Sequence, residues 1–415
     1  MRFSDLGLQT QLLATLDELG YQTPTPIQQA AIPEVLAGRD VLAGAQTGTG
    51  KTAAFALPLI QRYLTDQSPH NAIRVLVLTP TRELAQQVHQ SFVAYSQDTG
   101  LRCVVAYGGA SINPQIEALK QGCEVMVATP GRLLELVIKE LIDLSTLQTL
   151  VLDEADRMLD MGFIIDIKRI LRHLPEERQT LFFSATFNDE VFALKNTLLK
   201  DPALIEVAER NTAAAQVEQR IYEVDSHKKA ALVAYLIGAN NWQQVLIFTR
   251  TKQTVDALAK ELGKDGITAS AVHGDKAQGA RERALEAFKT GQVRALVATD
   301  VAARGLDIHQ LQYVINYELP YNAEDYIHRI GRTGRAGLAG LAVSLVAHKE
   351  KYLLEGVEKL TGEHFIPQWV EGFEPNPTAQ ESAGNTRRKP SKKSLRANAL
   401  GQPGNKGRAG KRRRR

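Results

Sequence analysis

Eight consecutive residues, Ala45-Gln46-Thr47-Gly48-Thr49-Gly50-Lys51-Thr52, have the composition and order of a phosphate-binding loop. They follow the apolar run Asp40–Gly44 and lead into a helical stretch, which is the setting such a loop needs. Backbone N–H groups of a glycine-rich turn at a helix N-terminus can cradle phosphates. Lys51 would neutralise the β- and γ-phosphates, and the Thr52 hydroxyl would ligate Mg²⁺. The strict pattern has glycine where this chain has Ala45, a mild departure. Taken alone, the octapeptide also fits an ordinary glycine turn.

A second constellation removes most of that ambiguity. Asp153-Glu154-Ala155-Asp156 follows Leu150-Val151-Leu152, so the carboxylates stand at the C-terminal end of a buried strand. Open α/β sheets bind ligands at that edge. Asp153 could hold Mg²⁺ through water, and Glu154 could orient or deprotonate an attacking water. An acidic tetrapeptide is usually a solvated surface. Here it ends an apolar strand about a hundred residues after the glycine-rich loop. The two motifs together imply a Mg²⁺-dependent nucleoside triphosphatase.

The elements that must position these groups alternate between β-rich runs and amphipathic helical stretches, twice over. The first series is Val41–Gly44, Arg74–Thr79, Arg102–Tyr107, Glu124–Thr129, Leu147–Asp153 and Thr180–Ser184, with helices over Arg82–Ser96, Ile112–Gln121 and Asp166–His173. The second is Ile221–Val224, Val245–Thr249, Ala269–His273, Ala295–Thr299, Tyr313–Tyr317 and Leu341–Val346. Strands such as Val75-Leu76-Val77-Leu78 are continuously apolar, as strands covered on both faces should be. The pattern predicts parallel, doubly wound α/β domains at 1–208 and 220–373, joined by a polar, Ala-rich linker at 209–219. Residues 374–415 hold almost no large apolar side chains and are expected to be a disordered basic tail.

Composition narrows the class. With 415 residues, the chain is long enough for two or three domains. No run approaches the ~18–20 apolar residues that span a bilayer, and the N-terminus is acidic within five residues, so a cytoplasmic protein is expected. Cys103 and Cys123 read as small buried hydrophobes. The formal net charge is +4, but residues 374–415 carry 13 Lys/Arg against two acids. That segment is therefore +11, and the remaining body is −7. A polyanion would meet a diffuse basic tail and specific sites on an acidic body.

Further motifs stand in a fixed order. They are Gly20-Tyr21-Gln22-Thr23-Pro24-Thr25-Pro26-Ile27-Gln28, Pro80-Thr81-Arg82-Glu83-Leu84-Ala85, Gly108-Gly109, Thr129-Pro130-Gly131-Arg132, Ser184-Ala185-Thr186, Phe248-Thr249-Arg250, Gln278–Arg281, Ala298–Asp307 and His328–Arg335. Together with the loop and the Asp153–Asp156 carboxylates, they closely resemble the DEAD-box RNA helicases over residues 3 to about 350. Within that family the chain looks most like the bacterial RhlE-type branch, from its compact core, Lys276–Arg283 and its basic tail.

The resemblance implies two tandem RecA-like parallel-sheet domains and RNA-stimulated ATP hydrolysis with ATP and Mg²⁺. It implies that Gln28 reads adenine, which its amide suits by donating and accepting at once, and that Phe3 or Tyr21 packs on the ring. Nucleotide contacts would come from Gln46, Thr47, Gly48, Thr49, Gly50, Lys51 and Thr52, with Asp307 on the ribose. Arg332 and Arg335 would meet the γ-phosphoryl charge. His328 would bond the end of Asp153–Asp156 near Ser184 and Thr186, coupling Asp156 to the second domain. RNA would be held by Thr81, Arg82, Gly109, Thr129 and Arg132, and by Thr249, Arg250, Gly274, Arg281 and Thr299. Short hydroxyls, amides and arginines suit phosphates and 2′-hydroxyls, so binding to single strands or short duplexes should be sequence-tolerant. Ribosome assembly, RNA decay and cold adaptation all stay open as settings and as sources of partners. Two rivals are a DNA motor of the same superfamily and a non-hydrolysing RNA clamp. The Gln28 and Ser184 motifs weigh against the first, and the intact Lys51, Glu154 and Arg335 weigh against the second.

Overall fold

The computed structural model describes residues 1–44, 49–66, 72–185, 189–206, 217–303, 311–334 and 340–376. The expectations for Ala45, Gln46, Thr47, Gly48, Thr186, Asp307, Arg335, the linker up to residue 216 and the tail from residue 377 lie outside the described residues.

Two all-parallel sheets carry the chain. The first holds β1 (Val41–Gly44), β2 (Val75–Leu78), β3 (Cys103–Ala106), β4 (Val125–Ala128), β5 (Thr149–Leu152), β6 (Gln179–Ser184) and β7 (Ala203–Glu206) in the order β3-β4-β2-β5-β6-β1-β7. The second holds β8 (Val217–Glu223), β9 (Val245–Thr249), β10 (Ala269–Val272), β11 (Ala295–Thr299), β12 (Tyr313–Asn316) and β13 (Gly340–Val346) in the order β10-β11-β9-β12-β13-β8.

The continuous apolar runs have a direct physical cause. Successive strand side chains point to opposite faces, and here both faces are covered. Val75 and Val77 pack with Phe55, Phe92 and Phe183 on one face of β2, while Leu76 and Leu78 pack with Met158, Ile167 and Phe182 on the other. In β9, Val245 and Ile247 face one cluster, and Leu246 and Phe248 face another. Each such side chain contributes roughly 1.5–3 kcal/mol by leaving water. A parallel sheet with two dry faces therefore needs both sets.

Strand order sorts the chemistry. In the first sheet β1, β6 and β5 are neighbours, so the C-terminal ends that carry the loop, Ser184 and Asp153 lie side by side; Gly44 is level with Ser184. The other half of that edge, β2-β4-β3, leads into Thr79–Arg82, Thr129–Arg132 and Tyr107–Gly109. The second sheet repeats the second arrangement: β9, β11 and β10 end at Thr249, Thr299 and Val272, just before Gly274.

The structure extends and corrects the reading of the sequence. Helices Thr10–Glu18 and Pro26–Leu36 and edge strand β7 were not foreseen. β8 starts at Val217 and pairs along its whole length with β13, so residues 217–219 belong to the second sheet rather than to a linker. The strand opens with Val217-Glu218-Gln219-Arg220, three of them polar, so its start does not stand out from the polar stretch before it. Gln368 also pairs with Tyr222, adding a rung outside β8. Cys103 and Cys123 are free thiols. Among the described residues, no helix is long and apolar enough to cross a membrane.

Candidate active site

The turn before the helix Lys51–Thr65 is tied to the helix Pro26–Leu36 by one amide. Gln28 is only 2% exposed; its Nε2 donates to Gly50 O at 3.2 Å, and its Oε1 accepts from Thr25 N at 2.9 Å. Gly50 adopts φ +91°, which disfavours any residue with a Cβ, and a Cβ there would overlap the Gln28 amide. A primary amide has two N–H donors and two lone pairs. Gln28 therefore keeps one of each while bracing the turn.

Lys51 is the first residue of its helix and is 6% exposed, and its Nζ has no hydrogen-bond partner among the described residues. Asp153, just past β5, is 2% exposed, and its Oδ1 is likewise without one. Burial pushes the Asp153 carboxyl up to about 6; Lys51 pulls it back, and Glu154 and Asp156 push it further. A buried ammonium and a buried carboxylate oxygen without hydrogen-bond partners are costly. Their chemistry fits an oxygen-rich ligand, such as a phosphate chain with a hard cation. Mg²⁺ needs only one or two protein oxygens, because phosphates and waters complete its shell. Asp153 and the half-buried Thr52 supply a suitable pair.

Glu154 caps the helix Ala155–Asp160 with φ +53°, a strained conformation for a residue with a side chain. Such strain turns the chain sharply between strand and helix. Ser184 is fully buried at the end of β6. Phe3 is buried in the first core with its ring edge-on to Tyr21 at 6.3 Å. Tyr21 is the more exposed of the two, and its hydroxyl is 2.8 Å from that of Tyr95.

Along the β2-β4-β3 half, short hydroxyls shape the backbone. Thr81 caps the helix Arg82–Tyr95 by accepting from Leu84 N, and Thr129 Oγ1 accepts from Gly108 N at 3.3 Å. Gly109 (φ +77°) lies against Arg82, whose Nη1 would sit 2.8 Å from a Cβ. Arg132 is buried and holds the adjoining loop: it donates to Ala110 O and Gln115 Oε1, both at 2.8 Å, and pairs with Glu135.

The second half repeats the cap. Thr251 accepts from Thr254 N to start the helix Lys252–Lys264, and Gly274 lies against Lys252. Thr249 Oγ1 donates to Thr251 O, and Thr299 is buried at the end of β11. Arg250 is anchored inward, with Nη2 donating to Glu350 at 2.6 Å and its guanidinium 4.8 Å from the Tyr321 ring. Glu350 also takes a buried bond from Lys229 at 2.5 Å. Arg329 is 1% exposed and forks onto Asp300 at 2.5 and 2.7 Å. It also donates to Glu318 O at 2.6 Å and lies over Phe248. Arg329 thus locks the helix Ala323–Ile330, which carries half-buried His328 and leads to buried Arg332.

Ion pairs join the halves at two places among the described residues. Arg281, at the start of the helix Gln278–Lys289, meets Glu83 at 2.8 Å. Arg157, three residues after Glu154, meets Asp325, one turn before His328. The sequence reading missed Arg157, Asp325, Glu83, Asp300 and Arg329. Arg157 did carry a signal, a cation directly after Asp156. Asp325 looked like an ordinary first-turn acid, and nothing in the sequence links positions 168 residues apart.

Comparison with known proteins places this geometry. The DEAD/DEAH box helicase family matches residues 25–194, and the helicase conserved C-terminal domain matches 227–337. RNA helicase CrhR of Synechocystis is 46% identical over 357 residues, covering 86% of this chain and 72% of that protein. Yeast (S. cerevisiae) Dbp5 bound to RNA and ADP BeF3 superposes with a TM-score of 0.79 at 32% identity, over 90% of this chain and 95% of the other. A DEAD box protein from Methanococcus jannaschii is 37% identical over 89% of this chain and 99% of the other, with a TM-score of 0.51.

Proposed function

This chain belongs to the DEAD-box family of ATP-dependent RNA helicases, and from that premise we propose which residues do the work and how. It hydrolyses ATP under stimulation by RNA. The observation that carries the assignment of the nucleotide site is the buried Lys51–Asp153 pair without hydrogen-bond partners at Nζ and Oδ1. Lys51 neutralises the phosphate chain, and the N–H groups of residues 46–52 cradle it. Thr52 and Asp153 would hold Mg²⁺, which when bound would supply charge neutralisation to the phosphate chain. Glu154 orients the attacking water and takes its proton. Gln28 reads adenine with its remaining donor and acceptor, beside Phe3 or Tyr21, and Asp307 meets the ribose. Arg332 and Arg335 stabilise charge on the transferring phosphoryl group, an effect worth ~10³–10⁵ in rate. Asp156, Ser184, Thr186 and His328 couple the two halves.

The catalytic groups are divided between the sheets, so hydrolysis requires closure. ATP and RNA each favour the closed state and by linkage raise each other's affinity. The likeness to a nucleotide- and RNA-bound relative supports reading the arrangement as closed. The more identical Methanococcus jannaschii protein superposes less well, as two similar halves set differently would. Closure clamps one RNA strand in a bent path that its partner cannot follow. Thr81, Arg82, Gly109, Thr129, Thr249, Gly274 and Thr299 line that path. Arg132, Arg250 and Arg281 act at one remove through the loops and pairs they anchor. The domains run 1–208 and 217–373, and the +11 tail from 374 tethers RNA by releasing its counterions. Lys276–Arg283 and the tail favour the RhlE-type branch, acting in the cytoplasm in ribosome assembly, RNA decay or cold adaptation.

The Glu154→Gln variant tests the centre of this scheme. It should bind ATP and RNA normally while kcat falls ~10²–10³-fold. A variant that turns over at the wild-type rate would remove Glu154 from the mechanism.

A further inference from the structure

The helix Ala155–Asp160 carries the carboxylate motif on one half, and the helix Ala323–Ile330 carries His328 and leads to Arg332 on the other. The Arg157 side chain spans the gap between them. Arg157 is 4% exposed and shares Nη1 between Asp160 of its own helix, at 3.0 Å, and Asp325 of the facing one. Asp325 sits in the first turn of its helix, where a negative charge is favoured, and Asn322 caps that turn by accepting from Glu324 N.

We propose that the Arg157–Asp325 ion pair is a clasp that forms on closure, holding Glu154 in register with Arg332 independently of nucleotide or RNA. Arg157 is thus a positioning residue for hydrolysis. It touches neither substrate nor the reacting atoms, and it sets a cation among Glu154, Asp156 and Asp160 on one side and Asp325 on the other, so that the contact across the cleft attracts. Opening returns both partners to water, so the net gain is the Coulomb attraction less desolvation. That difference is modest, enough to bias an equilibrium without freezing it. A buried pair that never opened would make the enzyme sluggish at product release.

The clasp rests on the closure cycle proposed above, and the experiment separates the two. Arg157→Asp, Asp325→Arg and the double swap are compared with wild type in the full chain. RNA half-saturation of the ATPase is measured together with fluorescence transfer between dyes on the two halves. Arg157→Asp should raise the RNA concentration for half-maximal rate about tenfold, equivalent to about 1.4 kcal/mol. At saturating ATP and RNA, kcat should stay within about twofold. The swap should recover to within about threefold of wild type. If Arg157→Asp folds poorly, Asp325→Asn carries the same test with an expected rise of about fivefold. Unchanged half-saturation in the single variants, or a swap no better than they are, would overturn the clasp. A wild type whose dyes do not approach with RNA and a non-hydrolysable ATP analogue would instead overturn the closure cycle.

Discussion

The C-terminal edges of the two sheets treat buried charge in opposite ways. At the first, Lys51 Nζ and Asp153 Oδ1 are buried without hydrogen bonds among the described residues. At the second, Arg329 is forked onto Asp300, and Lys229, Glu350, Arg250 and Glu318 form a chain of ion pairs. The two halves share a fold and even a cap, with Thr81 and Thr251 each starting the helix after a central strand. They differ in where the electrostatic work is left undone. The first edge keeps charges in reserve for a ligand, at a cost to its own stability. The second completes its charges internally and gains rigidity, as a half must if it is to present an arginine at a fixed place.

The largest test of this contrast is on the second edge. Arg329→Ala should destabilise that half by about 3 kcal/mol, because it strands the Asp300 carboxylate and the Glu318 carbonyl. Asp300 keeps 21% of its side chain exposed, which holds the loss at the lower end of the range for broken buried pairs. Both tryptophans, Trp242 and Trp369, lie in the second half, so their fluorescence in a urea titration reports this transition selectively. An unchanged midpoint would mean that the network is not what stiffens the helix.

The first edge should respond in the reverse sense. Asp153→Asn removes a buried charge and should raise stability at pH 8 by on the order of 1–3 kcal/mol while abolishing hydrolysis. The sign follows from linkage. The native carboxyl titrates at about 6 against an ordinary 3.8, so the folded state binds the proton more tightly. Stability due to this group is therefore lost as pH rises from 4 through 6, and the variant's advantage should vanish below about pH 4. Calorimetry across that range is the check, and equal stability at pH 8 would show that Asp153 is compensated.

The smallest effect should come from Tyr321. It is 74% exposed and lies over Arg250, whose charge is already satisfied by Glu318 and Glu350. Tyr321→Ala should cost about 0.5–1 kcal/mol by the same fluorescence titration. A loss above 2 kcal/mol would mean that the ring, rather than the carboxylates, holds the arginine.

Much of this molecule was determined along the chain. Continuous apolar strands, a glycine-rich turn before Lys51 and acids after Leu152 depend on local chemistry and periodicity, and parallel strands covered on both faces follow from them. The ordered motifs then named the family. Strand order, which no window of sequence encodes, decided which motifs meet: β1, β6 and β5 gather the nucleotide groups, and β2, β4 and β3 gather the others. Packing also decided what the arginines do. Arg82, Arg132, Arg250, Arg281 and Arg329 look alike as letters beside motif residues. The folded chain leaves Arg82 beside Gly109, anchors Arg132 and Arg250 within their own halves, buries Arg329 on Asp300 and sends Arg281 across to Glu83. A guanidinium's role depends on which carboxylates lie within about 4 Å of it. In this protein those partners stand as far as 198 positions away, so only the tertiary structure could assign them.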